Sequence, residues 1–352
     1  MSDRTIAIPR LLHVGPGCLP ALEPLLKDSA FDLTRVCVGS GSGPSKEFAD
    51  RVSAGLAAAG LDVVDAPGLR GHLDQAAELA ARVIEDEVTL LVAVGGGRVI
   101  DTVKLAAART GTDLVTVPTA ISHDGISSPV ASLVGRDGTR RSHAAAMPSG
   151  IIVDIEVIGS APQRTFRAGV GDLASNLTAL LDWRRADAMG HERFNAFAAM
   201  IAENAALPVL DIEELHSAET HELVANGLVM SGLAMAAAGT SRPCSGAEHL
   251  ISHSLDQALG ERAAMHGEQV ALGTLVAAAA HRSPLRDTLR ARFEPLGLPT
   301  SPADLGIDED ELRSAIRAAP ATRPDRYTIL TDLPKGDREL DELVHEAFAP
   351  AG

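Results

Sequence analysis

Short apolar runs alternate with longer amphipathic stretches through the first half of the chain. Thr34–Val38, Leu61–Val64, Leu90–Val94, Leu114–Val117 and Gly150–Asp154 read as strands. The unbroken apolar character of Leu90–Val94 is that of a strand covered on both faces. Between these runs, Ser45–Gly60, Leu73–Asp86 and Val99–Arg109 place apolar residues at helical spacing. Strands alternating with helical patterns predict βαβ units and a parallel sheet. Ala131–Val134 and Arg140–Ala146 predict a hairpin-type insertion ahead of the last strand.

The texture changes after Pro162. Ala- and Leu-rich helical patterns follow one another over 170–188, 192–206, 211–238, 246–259, 266–281 and 284–293, and strand signals vanish. Gly159-Ser160-Ala161-Pro162 breaks the pattern, which places a boundary near Ser160. The expected architecture is a Rossmann-like α/β domain with a parallel sheet, residues 1–160, followed by an all-helical domain, 161–352. A chain of 352 residues is long enough for two such cores.

Composition narrows the partners. Aromatic residues make up 3% of the chain, so the core must be built from Ala, Val, Leu and Ile. A net charge of −16 excludes a nucleic-acid backbone as the principal partner, which needs clustered Lys and Arg. It leaves room for a small anion held by local groups. Cys18, Cys37 and Cys244 are odd in number and lack CxxC spacing, the pattern of a reducing compartment. Met1 to Arg10 has no apolar leader core, and no run of about 18 apolar residues occurs anywhere. These features predict a cytoplasmic protein without a membrane span.

Candidate chemistry lies at the junctions. Gly95-Gly96-Gly97-Arg98 follows an apolar strand and opens a helix, where glycines let the backbone approach a pyrophosphate and free N–H groups attract it. The turn is not the GxGxxG of a standard dinucleotide fold, and a plain βα turn fits it equally. Asp101 and Lys104 follow on that helix and read by themselves as solvated charges. The run Val117–Pro129 gathers hydroxyls, His123 and Asp124 directly after a strand, where open α/β sheets bind ligands. In the helical half, Gly171-Asp172 reads as a helix opening, with Asp172 either a cap or a ligand. His249 and His253 stand at i and i+4 on one helix face, and His266 begins another helix. Two imidazoles and a carboxylate suffice for a divalent metal such as zinc, nickel or iron, with coordination positions left open.

The segments GGGRVIDTVK, VPTAISHDGISSP, GDLASN, SRPCSGAEHLISH, HGEQVALGT and TRPDRYTIL occur in this order. Together they resemble the sn-glycerol-1-phosphate dehydrogenase family, within the wider iron-alcohol-dehydrogenase and dehydroquinate-synthase-like superfamily. The resemblance covers residues from about 10 to about 332, and the SHDGISSP and SRPCSGAEH segments are its most specific parts. It implies reversible reduction of dihydroxyacetone phosphate to sn-glycerol 1-phosphate with NAD(P)H and one divalent metal, zinc foremost. Residues 1–160 would then bind the dinucleotide, and 161–352 the metal and substrate. On matching positions, Asp172, His249 and His266 would hold the metal, and Asp124, Asp172 and His253 would touch substrate. Gly95, Gly96, Gly97, Arg98, Val99, Ile100 and Asp101 would line the cofactor, with Thr119, Ala120, Ile121, Ser122 and Ser128. The chain departs from the family pattern at Arg98, where Lys is frequent, at Cys244, where Ala is usual, and at Ala174, where a larger apolar residue is common.

A metal at such a site polarises a ketone oxygen, and His253 or a metal-held water is the candidate proton donor. Arg242, Arg323 and Arg326 are candidate donors to a substrate phosphate. The expected partner is a small phosphorylated ketone or alcohol, bound by a homo-oligomer. Three alternatives share the fold or the site. They are a sugar-phosphate cyclase, a reductase of another small phosphorylated or phosphonate carbonyl compound, and a nucleotide-binding sensor without turnover. A sensor predicts a missing metal ligand, and all three candidates are present.

Overall fold

The computed structural model describes residues 6, 8–333 and 336–350. Residues 1–5 and 7, part of the stretch read above for a leader, and residues 334, 335, 351 and 352 lie outside that range. The described residues form eight strands: β1 Leu11–Gly15, β2 Val36–Ser40, β3 Val63–Ala66, β4 Leu90–Gly95, β5 Asp113–Pro118, β6 Val130–Val134, β7 Arg140–Ala144 and β8 Gly150–Asp154. Helices α1 Leu22–Asp28, α2 Lys46–Ala58, α3 Leu73–Glu85 and α4 Gly97–Thr110 lie between the early strands. After β8 all regular structure among the described residues is helical: α5 Ile155–Gly159, α6 Gln163–Ala174, α7 Asn176–Ala188, α8 Ala196–Ala206, α9 Ala218–Ala238, α10 Ala247–Leu259, α11 His266–Ala280, α12 Leu285–Leu296, α13 Glu309–Thr322, α14 Ile329–Asp332 and α15 Asp337–Phe348.

Six strands form a parallel sheet in the order β1-β8-β5-β4-β2-β3, and β6 pairs antiparallel with β7 as the predicted hairpin. Strand β1 was not legible in the pattern, because an edge strand of five residues with one buried position carries little signal. Side-chain alternation explains why the sheet is covered twice. Leu91 and Ala93 of β4 enter one core with Leu79 of α3 and Val103 of α4. Leu90, Val92 and Val94 enter the other with Leu26 of α1 and Val52 of α2. Each fully buried Leu or Val contributes about 1.5–3 kcal/mol.

The chain runs outward from β2 to β3 and then crosses back to β4, so strand order reverses between β2 and β4. That reversal opens a crevice at the carboxyl ends of the strands, where Gly41-Ser42-Gly43 and Gly96-Gly97 sit. The first hydrophobic core continues past the sheet into Val170 and Leu173 of α6, Leu228 of α9 and Ala271 of α11. The helical half is thereby packed directly against the sheet half.

The helical patterns are finer-grained than read above. The stretch 170–188 is two helices, α6 and α7, meeting at Ser175, and α6 begins earlier, at Gln163. The stretch 192–206 becomes helical only at Ala196, where the Asn195 side chain caps the first turn. Helices α13 and α15 complete the C-terminal end and pack in a second core with α10 and α11.

Candidate metal and cofactor site

Asp172 is not at a helix opening. Pro162 precedes the first residue of α6, and Asp172 lies in the last turn of that helix. A carboxylate there opposes the helix dipole, so local helix stability does not account for it. Its neighbours do. Asp172 is 3% exposed, and its Oδ2 accepts the backbone N–H of Asp124 at 2.9 Å. Its Oδ1 is buried without a hydrogen-bond donor and lies 3.6 Å from both His249 Nε2 and His266 Nε2. The ligand atoms of these three residues all lie within 4.8 Å of one another. His249 is in the first turn of α10, and His266 opens α11.

Close backbone approach brings these helices together. A Cβ on Gly267 would stand 2.0 Å from the carbonyl oxygen of Ala168, so only glycine lets α11 reach α6 here. The far nitrogens of both imidazoles are already engaged. His249 Nδ1 is 3.1 Å from Glu248 Oε1, and His266 Nδ1 is 3.1 Å from Ser252 Oγ. An orphaned carboxylate oxygen facing two ε nitrogens, with both δ nitrogens occupied, fits a divalent cation.

Electrostatics agree with that donor set. Burial would raise Asp172, but His249 and His266 outweigh it and hold the carboxyl below its usual range. Burial likewise opposes charge on His249, yet Asp172 and Glu248 prevail and lift it to about 10. Burial and the His249 charge push His266 well below its usual value. His253, whose ring centroid is 6.4 Å from that of His249, falls to about 3 through burial, His249, Arg323 and Arg326. Burial, and then the Asp172 charge, raises Asp124 to about 7.

The glycine turn adjoins this centre. Gly96 precedes α4 without a side-chain cap; the Val99 and Ile100 N–H groups bond its carbonyl, which leaves those of Gly97 and Arg98 for a ligand. The Thr119 N–H donates to Gly95 O at 3.1 Å and ties the loop after β5 to the turn. His123 bridges turn and metal centre. Its Nδ1 accepts from Gly125 N–H, its Nε2 would stand 2.3 Å from a Cβ on Gly97, and its ring centroid is 6.0 Å from that of His266. Gly96, Gly97, Arg98, Ala120 and Ser122 are at least partly exposed. Val99, Ile100 and Ile121 are buried in the core and could meet a ligand only through their backbones. Ser128 is buried, with its hydroxyl 3.4 Å from the Val130 carbonyl oxygen.

Asp101 and Lys104 are not solvated charges. Lys104 is fully buried, donates to the carbonyls of Gly125, Ser128 and Val130, and lies 3.3 Å from Asp101 Oδ1. Asp101 Oδ2 in turn accepts from Ser132 N–H. The pair fastens the loop after β5 and the hairpin to α4. Arg242 is also spent on structure: it is buried, ion-paired with Glu192, and donates to the Tyr327 carbonyl at 2.6 Å. Arg326 is 6% exposed and donates to the Ser245 carbonyl and the Ser241 hydroxyl, which Arg323 also reaches. Burial, then Arg323 and Arg242, pulls Arg326 down to about 9. Glu248 and Ser252 were given no role in the sequence, and His123 was read there only as part of the polar run after a strand. The adjacency of Glu248 to His249 was the one available signal.

Comparison with known proteins decides the family. A glycerol-1-phosphate dehydrogenase (NAD(P)+) from Aeropyrum pernix is 36% identical over 99% of this chain and 97% of its own length. One from Methanosarcina mazei is 37% identical over 94% and 92%. The chain belongs to the glycerol-1-phosphate dehydrogenase family. The family description for iron-containing alcohol dehydrogenases matches residues 13–162. A probable glycerol dehydrogenase from Sinorhizobium meliloti superposes with a TM-score of 0.77 over 99% of this chain and 98% of that one, at 23% identity, and shows the shared fold. Like the expectation from sequence, no helix among the described residues is long and apolar enough to cross a membrane.

Proposed function

We propose that this chain reversibly reduces dihydroxyacetone phosphate to sn-glycerol 1-phosphate, using NAD(P)H and one divalent metal. The observation that carries the reading is the orphaned Oδ1 of Asp172 facing His249 and His266 in a chain of this family. In this reading residues 1–160 bind the dinucleotide and 161–352 supply the metal and substrate groups, in a cytoplasmic homo-oligomer.

When bound, the metal supplies Lewis-acid polarisation of a carbonyl oxygen and the nicotinamide supplies hydride. The chain supplies placement. Asp172, His249 and His266 hold the metal on three helices. Gly95 to Arg98, with the first N–H groups of α4, receive the pyrophosphate, and Thr119 to Ser122 border the nicotinamide side. Val99, Ile100, Asp101 and Ser128 support that surface from beneath. Asp124 and His253 border the substrate. His253 is neutral across the physiological range, so its N–H would hydrogen-bond the reacting oxygen, and the proton that completes the alcohol would come from water at the site. Arg323 and Arg326, whose charges act on His253, would receive the phosphate, since their guanidinium groups bond hydroxyl and carbonyl oxygens rather than carboxylates.

With the metal held by Asp172, His249 and His266, the dinucleotide at the Gly95–Arg98 turn and the phosphate at Arg323 and Arg326, the ketone would present one face to hydride, which would set the product's handedness. Incubation with NADH or NADPH and dihydroxyacetone phosphate, followed by product assignment with an enantiomer-specific enzyme, tests the reading. The 1-phosphate is expected. The 3-phosphate would overturn it, and turnover confined to a different phosphorylated or phosphonate ketone would keep the mechanism and move the substrate.

A further inference from the structure

Glu248 is fully buried beside a metal-ligand candidate, and its only ion-pair partner among the described residues is the His249 imidazole. Its Oε1 accepts from the Gly246 N–H and faces His249 Nδ1 at 3.1 Å, while its Oε2 accepts from the Thr178 hydroxyl at 3.1 Å. A buried carboxylate without a Lys or Arg partner is costly unless positive charge compensates it nearby. The Gly246 N–H and the Thr178 hydroxyl donate to Glu248, and the His249 ring nitrogen can do the same.

We propose that Glu248 is a positioning residue of the metal centre, acting through His249. Its carboxylate accepts a hydrogen bond from the Nδ1–H of His249, which leaves Nε2, on the side of Asp172 Oδ1, as the nitrogen free to bind a metal. The charges of Glu248 and Asp172 together balance a divalent cation. The second imidazole is built differently, because His266 Nδ1 meets the neutral hydroxyl of Ser252. The two imidazole ligands are therefore unequal: His249 is held by a carboxylate and His266 by a neutral hydroxyl. This inference rests on the metal reading of the triad and not on the identity of the substrate.

The test is zinc affinity by chelator competition for the wild type, Glu248→Gln, Glu248→Ala and Ser252→Ala, with folding checked by circular dichroism. Loss of the carboxylate should weaken zinc binding about 10–100-fold, the range for such outer partners, and loss of the Ser252 hydroxyl should weaken it less. A nitrogen-15 NMR spectrum of the zinc-loaded wild type supplies a readout that a merely structural role would not move. It should show His249 protonated at Nδ1 and zinc-bound at Nε2, with the Nδ1 signal displaced in Glu248→Gln. Zinc affinity within about twofold of wild type in folded Glu248→Gln would overturn the proposal. So would zinc binding through Nδ1 of His249 in the wild type, a result that needs no variant to fold. Normal zinc dependence on Glu248 without turnover of dihydroxyacetone phosphate would count against the proposed reaction alone.

Discussion

The backbone N–H of Asp124 donates to Oδ2 of Asp172 across 2.9 Å, joining the loop after β5 to the helix that carries the metal-site carboxylate. One oxygen of Asp172 is thereby consumed by the sheet half of the molecule. The other is left for a cation, so a single side chain sets the distance between the loop and the metal centre.

Replacing Asp172, His249 or His266 by Ala should lower metal affinity or activity by at least about 10–100-fold, the scale at which even outer-shell losses act. Metal content after dialysis, together with cofactor oxidation rates with and without chelator, checks this. Full activity in metal-free His266→Ala would remove the triad from the mechanism.

Gly267→Ala should disturb the centre without touching a ligand. The new methyl group would meet the Ala168 carbonyl oxygen at 2.0 Å, forcing α11 away from α6 and His266 away from Asp172. Overpacking of this kind costs about 1–3 kcal/mol. A lowered thermal midpoint with weakened metal binding is expected; an unchanged zinc affinity would show that the helix spacing does not set the site.

Metal uptake should release protons. In the metal-free protein His249 keeps its proton up to about 10, above its ordinary value of 6.5, whereas a metal needs the neutral ring. Affinity should therefore fall about tenfold for each pH unit lowered from about 10 toward 7. Folding of the metal-free protein has the opposite dependence on this group. A raised folded-state value means that the charged His249 contributes its full stabilisation below about 6.5, and that stabilisation is lost as pH rises through about 10. Calorimetry in buffers of different ionisation enthalpy counts the released protons; a count of zero at pH 8 would contradict the argument.

NADPH should be accepted alongside NADH. The loop after β2 reads Gly41-Ser42-Gly43 and offers no carboxylate to repel a 2′-phosphate, while Asp65 falls within β3 and accepts from the Ser53 hydroxyl at 2.6 Å. Initial-rate comparison decides it. An efficiency with NADPH more than about a thousandfold below that with NADH, roughly 4 kcal/mol, would contradict the prediction.

Arg326→Ala should lose about 10–100-fold in kcat/KM for dihydroxyacetone phosphate, the equivalent of one hydrogen bond to a charged group at about 1.5–3 kcal/mol. The same change should matter much less for unphosphorylated dihydroxyacetone. Lys at this position should not restore the forked contact. Equal losses on both ketones, in a protein with an unchanged melt, would place the phosphate elsewhere.

The sequence by itself determined the layered architecture, because side-chain period is a local property. The apolar run Leu90–Val94 needs cover on both faces wherever it sits, and the helical patterns after Pro162 need a common core. It also made the chemistry of the site readable, since His249, His266 and Asp172 are unusual residues at motif positions. Tertiary structure alone decided what each charge does. Lys104 and Asp101 look like surface residues on one helix turn, and become a buried clamp only because the loop carbonyls of Gly125, Ser128 and Val130 fold over them. Arg242 looks as free as Arg326 until Glu192, fifty positions away in the chain, neutralises it. Asp172 reads as a helix opening from Gly171 and lies in a last turn, where only the approach of α10 and α11 gives its second oxygen a purpose. Periodicity fixes which way a side chain faces, but the partner it meets depends on contacts between segments far apart in the chain.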